Sequence, residues 1–216
     1  MTSPSPVAQA PRKGRVLLPT IIVLAVIVIG FVIFTSFYTD WLWFESVAKT
    51  EVFTITLTTR LALFASFGLT MAFVLAGTLW IAYRFRPRVP LLTQEQASLE
   101  RYRMSLDPYR ILITTAIAVF IGLLSGLSAA SEWGTFLRWQ NSTDFGITDP
   151  QFGLDVSFYT FIYPFLRFVL GFAFTVVILA IGLALAAHYL YGGIRLQPPG
   201  DRMSRAAQVH LSGLIA

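Results

Sequence analysis

The 216 residues are 56% apolar and 12% charged, with no cysteine and a net charge of +5. So few charged side chains would leave a soluble domain of this length without polar cover, and the composition therefore indicates an integral membrane protein. The lack of cysteine excludes disulfides, thiolate metal sites and cysteine nucleophiles. In a membrane protein the distribution of positive charge matters more than its total, and we predict no nucleic-acid partner.

The chain begins with residues 1–15, which are rich in serine, proline and alanine and predict a disordered segment. The apolar run that follows is too long for the core of a signal peptide, and no Ala-x-Ala site comes after it. We therefore predict a retained first transmembrane helix. Residues 39–60 combine charged side chains with a β-branched cluster, which predicts a loop containing a short amphipathic helix.

Apolar runs predict an all-α transmembrane helix bundle with four complete spans and the start of a fifth. The spans lie at about residues 16–38, 61–83, 110–130 and 168–191, with the partial span from residue 206. This last run is about half of the ~20 residues that a crossing helix needs. We therefore expect the chain to be a fragment of a longer protein.

Small residues recur every four positions along three of the predicted spans, which favours close approach of a neighbouring helix. These stripes are Gly68, Ala72 and Ala76 in the second span, Gly122, Gly126 and Ala130 in the third, and Gly182 and Ala186 in the fourth.

Residues 84–110 form the most basic loop. Within it, Thr93 followed by Gln96 is typical of a capping box and predicts a short surface helix. Asp107 and Pro108 fit the N-cap and first position of the third span.

Residues 144–167 are too polar to cross a membrane yet carry seven aromatic rings, which predicts an interfacial loop lying against the bilayer. Two of its acids, Asp149 and Asp155, could form a carboxylate pair for acid–base chemistry, a cation site, or structural turn and cap positions. An Asp before Pro150 more often begins a turn, and an Asp two residues before Ser157 can cap a helix. The structural roles are therefore favoured.

Charge asymmetry predicts the orientation. Residues 1–15, 84–110 and 192–216 hold twelve of the sixteen Lys and Arg residues and four of the eleven acids. We predict that this side is cytoplasmic, with the N-terminus inside and the aromatic loop outside.

Chemical motifs are sparse. The cores of the four spans carry no ionisable side chain, and phosphate-binding, dinucleotide-binding, HExxH and GxSxG motifs are absent from the sequence. His188 is expected to contact a headgroup or the backbone, and His210 has no acid or second histidine at ligand spacing. We predict no catalytic, cofactor-binding or metal-ligating residue and no cofactor.

Three stretches resemble the bacterial family known as uncharacterised protein family 0182. They are DWLWF at residues 40–44, the set Asp107, Pro108 and Arg110, and DPQFGLDVSFYTFIYPF at residues 149–165. The resemblance implies an N-terminal multi-pass domain in the plasma membrane, with a large extracytoplasmic region beyond it. It implies no established reaction.

The function predicted from the sequence is that of a non-enzymatic membrane platform. Its expected partners are the lipid bilayer and other transmembrane helices or a protein of the cell envelope. Two alternatives remain: part of a transporter or channel, and a membrane enzyme acting on lipid or envelope precursors through Asp149 and Asp155.

Overall fold

A computed structural model describes residues 14–87, 94–196 and 202–216. Its helices are α1 Gly14–Ser46, α2 Thr50–Arg84, α3 Gln94–Leu106, α4 Arg110–Ser131, α5 Trp133–Gln140, α6 Tyr163–Leu190 and α7 Arg205–Ile215. A 3-10 turn, Asp107–Tyr109, precedes α4, and a π-helical turn, Phe158–Ile162, precedes α6. The predicted disorder of residues 1–15 lies outside the described residues except at its last two positions, where α1 begins. The predicted cap Thr93 also lies outside them.

Four helical segments are long and apolar enough to cross a membrane, which confirms the prediction of an all-α polytopic bundle. They are Pro19–Ser46, Thr50–Arg84, Leu99–Ser131 and Phe158–Leu190. Apolar surface on these helices suits lipid, and the helical hydrogen bonds satisfy the backbone within each segment. The eleven residues of α7 are the predicted start of a further apolar helix.

The chain divides into two compact units, the first of which ends at Thr56 and contains α1 and the first turns of α2. The predicted loop over residues 39–60 is wrong, because helix continues through most of it. Only Val47, Ala48 and Lys49 separate α1 from α2, and Ala48 adopts a left-handed conformation with φ of 54°. In a bilayer, helix satisfies backbone groups that a β-branched loop would leave unpaired, and this outweighs local propensity.

Within the second unit, residues 57–216, the small stripes of α2 and α4 face one another. A Cβ atom built on Gly68 would lie 2.9 Å from the carbonyl oxygen of Gly122, and one on Gly122 would lie 2.9 Å from that of Gly68. Gly126 is as tightly placed, because a Cβ atom built on it would lie 2.7 Å from the carbonyl oxygen of Phe64. The predicted close packing of the second and third spans is therefore confirmed.

The small-residue stripe predicted on the fourth span does not pack against a neighbouring helix. Gly182 and Ala186 are exposed, whereas Ala180 and Ala184 are fully buried one helical face away. Together with Met71, Leu75 and Val176, Ala180 forms the core of this unit.

Asp107 does not cap the third span as predicted. Its side chain makes no capping hydrogen bond, and α3, the 3-10 turn and α4 follow one another without a break. The carboxylate instead lies 3.3 Å from Arg86 and 3.7 Å from Arg110. Because helical structure continues from α3 into α4, no free helix start is left at Asp107 for its side chain to cap.

Candidate functional site

The polar segment between α5 and α6 folds into a compact structure, which we call the Asp loop and define as residues 141–157. The prediction of an interfacial loop over residues 144–167 is too long, because helical structure resumes by Phe158. An antiparallel bridge between Thr148 and Asp155 brings the two halves of the Asp loop together. The N–H of Val156 donates to the carbonyl oxygen of Ile147 at 2.9 Å and closes the loop.

Asp155 ties the two ends of the Asp loop together. Its Oδ1 accepts hydrogen bonds from the N–H groups of Phe145 at 3.0 Å and Ser157 at 2.8 Å, and its Oδ2 accepts one from Gly146 at 2.8 Å. Hydrogen bonding from Ser157, through its side chain and then its N–H, and from the N–H groups of Phe145 and Gly146 lowers the pKa of Asp155 to about 2. This carboxylate is therefore ionised and occupied by backbone donors.

Asp149 forms the turn that the sequence predicts. Its Oδ2 accepts a hydrogen bond from the N–H of Phe152 at 2.7 Å, and its backbone oxygen accepts one from Gly153 at 2.9 Å. Gly153 has φ of 68°, a conformation that glycine adopts without steric cost. The Tyr159 hydroxyl also donates to Asp149 Oδ2 at 3.3 Å. Both acids thus have structural contacts of the kind that the turn and cap interpretation predicts.

Four apolar side chains of the Asp loop are exposed. Ile147 is 65% exposed and Phe152 is 67% exposed, and Phe145 and Leu154 are also exposed. We call these four residues the apolar tip. Exposed apolar groups held on a hydrogen-bonded frame form a surface that suits a lipid or protein contact.

Aromatic packing joins α5 to the start of α6. Phe165 is 8% exposed, and its ring stacks on Trp139 with 4.7 Å between centroids and contacts Phe136 edge-on at 5.5 Å. The Asp loop connects these two helices, so its ends are fixed by a packed aromatic cluster.

A polar groove of about 510 Å³ lies between α4, α5 and α6. Its polar lining residues are Ser125, Ser128, Glu132, Thr135, Arg167 and Thr175. Glu132 accepts a hydrogen bond from the Thr135 hydroxyl at 2.8 Å, and Arg167 is exposed. Such a concentration of polar side chains on spanning helices is costly against lipid unless water, ligand or protein covers it.

The spacing in the sequence indicates no histidine or acid as a co-ligand for His210, but the structure brings His188 and His210 together. The Nε2 of His188 lies 3.1 Å from the Nδ1 of His210, because α7 packs on the end of α6. His188 is fully buried, and its Nδ1 has no hydrogen-bond partner. Within the described part of the chain, no group of three or more His, Cys, Asp or Glu residues is placed to hold a metal ion. No local sequence motif signals a pair separated by 22 residues.

Four spanning helices, one folded polar loop and a polar groove between helices define a polytopic membrane domain. The chain belongs to an uncharacterised protein family, UPF0182, which matches residues 17–216.

Relatives in several species carry the same family name. The chain is 49% identical over 222 residues to a UPF0182 protein of Salinispora arenicola, covering all of this chain and 22% of the relative. Identity is 46% with a relative in Streptomyces coelicolor and 44% with one in Thermobifida fusca, covering 97% and 98% of this chain and 21% of each relative. The chain thus spans about a fifth of the length of these curated relatives. No solved structure matches it.

Proposed function

We propose that this domain is a non-enzymatic membrane platform that presents the Asp loop to a protein of the cell envelope. We further propose that it lies in the plasma membrane with its N-terminus in the cytoplasm and the Asp loop outside. The orientation rests on the excess of Lys and Arg on the opposite side of the membrane.

The observation that carries this proposal is that polar side chains hold the shape of the Asp loop while its apolar side chains are exposed. The Asp155 oxygens accept three backbone hydrogen bonds, so the acid maintains loop shape. The side chains left exposed are apolar, led by Ile147 and Phe152. A rigid frame with an apolar tip favours docking, since little conformational entropy is lost when a partner binds. The same hydrogen bonds leave the enzyme alternative with less support.

A co-purification experiment tests the platform. The chain is affinity-purified in mild detergent after cross-linking in native membranes, and retained proteins are identified by mass spectrometry. Ile147→Ser with Phe152→Ser should lose a partner that the unchanged chain retains, because the apolar tip is removed. Tyr102→Ser with Leu196→Ser is the matched control, since both of those side chains are also exposed but lie at the other end of the bundle.

Retention of the same partners by the tip variant would contradict docking through the Asp loop. Absence of any partner from the unchanged chain would contradict the platform altogether.

A second candidate function, part of a transporter, is favoured by the polar groove. If water fills the groove, a cysteine at Ser125, which lines it, should react with a water-soluble thiol reagent. A cysteine at the exposed Leu124 should react poorly, because that position faces lipid rather than the groove. Equal reaction at both positions would argue against a hydrated path.

A further inference from the structure

An apolar cavity of about 440 Å³ lies at the end of the bundle opposite the Asp loop. Its walls come from α2, the end of α3, α4 and the end of α6, within residues 76–83, 106–117 and 183–191. The volume is in the range of small-molecule sites. Ala76 and Ala186 help to line it, and their short side chains leave space that larger residues would fill.

The rim of this cavity carries positive charge. Arg110 lines the cavity, donates a hydrogen bond to the Tyr83 hydroxyl and lies 4.5 Å from the Tyr83 ring centroid. Arg86 lies 4.2 Å from the same ring. Asp107 pairs with both arginines, so one carboxylate faces two guanidinium groups. The excess positive charge is accessible, because the Arg86 and Arg110 side chains are 40% and 43% exposed.

The depth of the cavity distinguishes between possible occupants. Its walls extend over eight residues of α2, from Ala76 to Tyr83, and the seven rises between them are about 10.5 Å along a helix axis. A crossing helix would need a groove along a hydrocarbon core of about 30 Å, whereas one leaflet is about half of that thickness. The cavity therefore fits a lipid chain of one leaflet better than a transmembrane helix. The exposed Trp80 beside it is a residue type enriched at the headgroup level.

We propose that this cavity binds an anionic glycerophospholipid, with one acyl chain between α2, α4 and α6 and the phosphate beside Arg110. The positive charge of Arg110 attracts a phosphate group, and basic pockets between membrane helices suit anionic headgroups. Most of the cavity wall is apolar and would contact the acyl chain of the lipid. A phosphate compound without an acyl chain would therefore lack most of this contact.

Native mass spectrometry of the chain in mild detergent tests this site with three probes. They are phosphatidylglycerol, phosphatidylcholine with the same acyl chains, and glycerol phosphate, which has no chain. We expect phosphatidylglycerol to bind at the lowest concentration and glycerol phosphate not to bind. Arg110→Gln should weaken phosphatidylglycerol binding about fivefold, whereas Arg110→Lys should largely keep it, since a nearby cation contributes about that factor.

Two matched controls separate the cavity from the general bilayer surface. Ala186→Phe fills the cavity from an exposed position and should abolish binding of both lipids. Ala173→Phe makes the same change at an exposed position on the same helix outside the cavity and should bind as the unchanged chain does. Arg84→Gln removes a charge outside the cavity and should likewise have little effect.

Equal binding of the two lipids, or an Ala186→Phe variant that binds as the unchanged chain does, would overturn the proposal. A dimer that forms in place of the lipid complex would overturn it too, since a second copy would then occupy the cavity. Because Ala186→Phe leaves the arginine contacts intact, the test holds even if Arg110→Gln does not fold.

Discussion

Asp155 contacts backbone groups on both sides of it in the chain, so one side chain fixes the shape of the Asp loop. Phe145 and Gly146 approach it from the start of the loop, and Ser157 approaches it from the start of the next helix. Ser157 is 2% exposed, and its hydroxyl oxygen also lies 3.3 Å from Asp144 Oδ1. The arrangement needs a charged oxygen acceptor, which makes the loop sensitive to acid.

The pH dependence of stability follows from the lowered pKa of Asp155. A pKa of about 2 in the folded protein, against 3.8 ordinarily, means that this carboxylate stabilises the fold above pH 4 and loses that effect as the pH falls to 2. The difference in Tm between the unchanged chain and Asp155→Asn should therefore be largest above pH 4 and shrink toward pH 2. Thermal unfolding in detergent measures it, with the exposed Asp40→Asn as control. A constant difference across this range would contradict the hydrogen-bonded carboxylate.

Substitutions at Asp149 distinguish a structural role of this side chain from a chemical one. Asn keeps an oxygen that can accept the hydrogen bond from Phe152, so Asp149→Asn should largely keep its stability. Asp149→Ala removes the acceptor and should lose about 1 kcal/mol of unfolding free energy. Thermal unfolding is measured beside rescue of a deletion phenotype. A folded Asp149→Asn variant without rescue would instead favour a cation site or proton transfer.

At the scale of helices, the contact between α2 and α4 depends on the absence of side chains. At Gly126 a Cβ atom would lie 2.7 Å from the Phe64 oxygen and 2.8 Å from its ring, so Gly126→Leu should destabilise the protein by about 3 kcal/mol. Leu123→Ile changes an exposed residue on the same helix and should stay within about 0.5 kcal/mol. Equal thermal stability of the two variants would remove the case for close packing.

The turn between α1 and α2 holds an alanine in a left-handed conformation. Since this conformation costs an L-residue about 1 kcal/mol and costs glycine little, Ala48→Gly should stabilise the protein by about that amount. Ala62→Gly lies within α2 and should destabilise by about 1 kcal/mol, because glycine is a poor helix former. Opposite signs in thermal unfolding would confirm the turn, whereas a loss of stability in both variants would contradict it.

Sequence patterns predict the helices of this protein better than the faces by which they pack. Small residues spaced by four occur on two faces of α6, and the face with Gly182 and Ala186 proved to be the exposed one. Lipid is as apolar as a protein interior, so hydropathy alone does not separate the two faces. On α2 and α4 the predicted stripes do meet, with Gly68 against Gly122, and the prediction was confirmed.

For the whole molecule, the local contacts of polar side chains were predictable, whereas contacts between polar side chains distant in the sequence were not. Asp149 and Asp155 lie next to the turn and helix start that they stabilise, so their neighbours in sequence indicate their contacts. The pairing of His188 with His210 depends on how α7 folds back on α6, and the contact of Asp107 with Arg86 depends on how the end of α2 meets the start of α4. Separations of about 20 residues leave such contacts outside the reach of local patterns.

Orientation in the membrane is a property of the whole chain, and its Cys-free sequence allows a direct test. Twelve of sixteen basic residues lie on the side assigned to the cytoplasm, and positively charged loops are retained there. A cysteine at Ser142, which is exposed at the start of the Asp loop, should therefore react with a membrane-impermeant maleimide on intact cells. A cysteine at Ser98 in α3 should react only after the cells are permeabilised. The unchanged chain gives the background, and labelling of Ser98 but not Ser142 on intact cells would reverse the orientation.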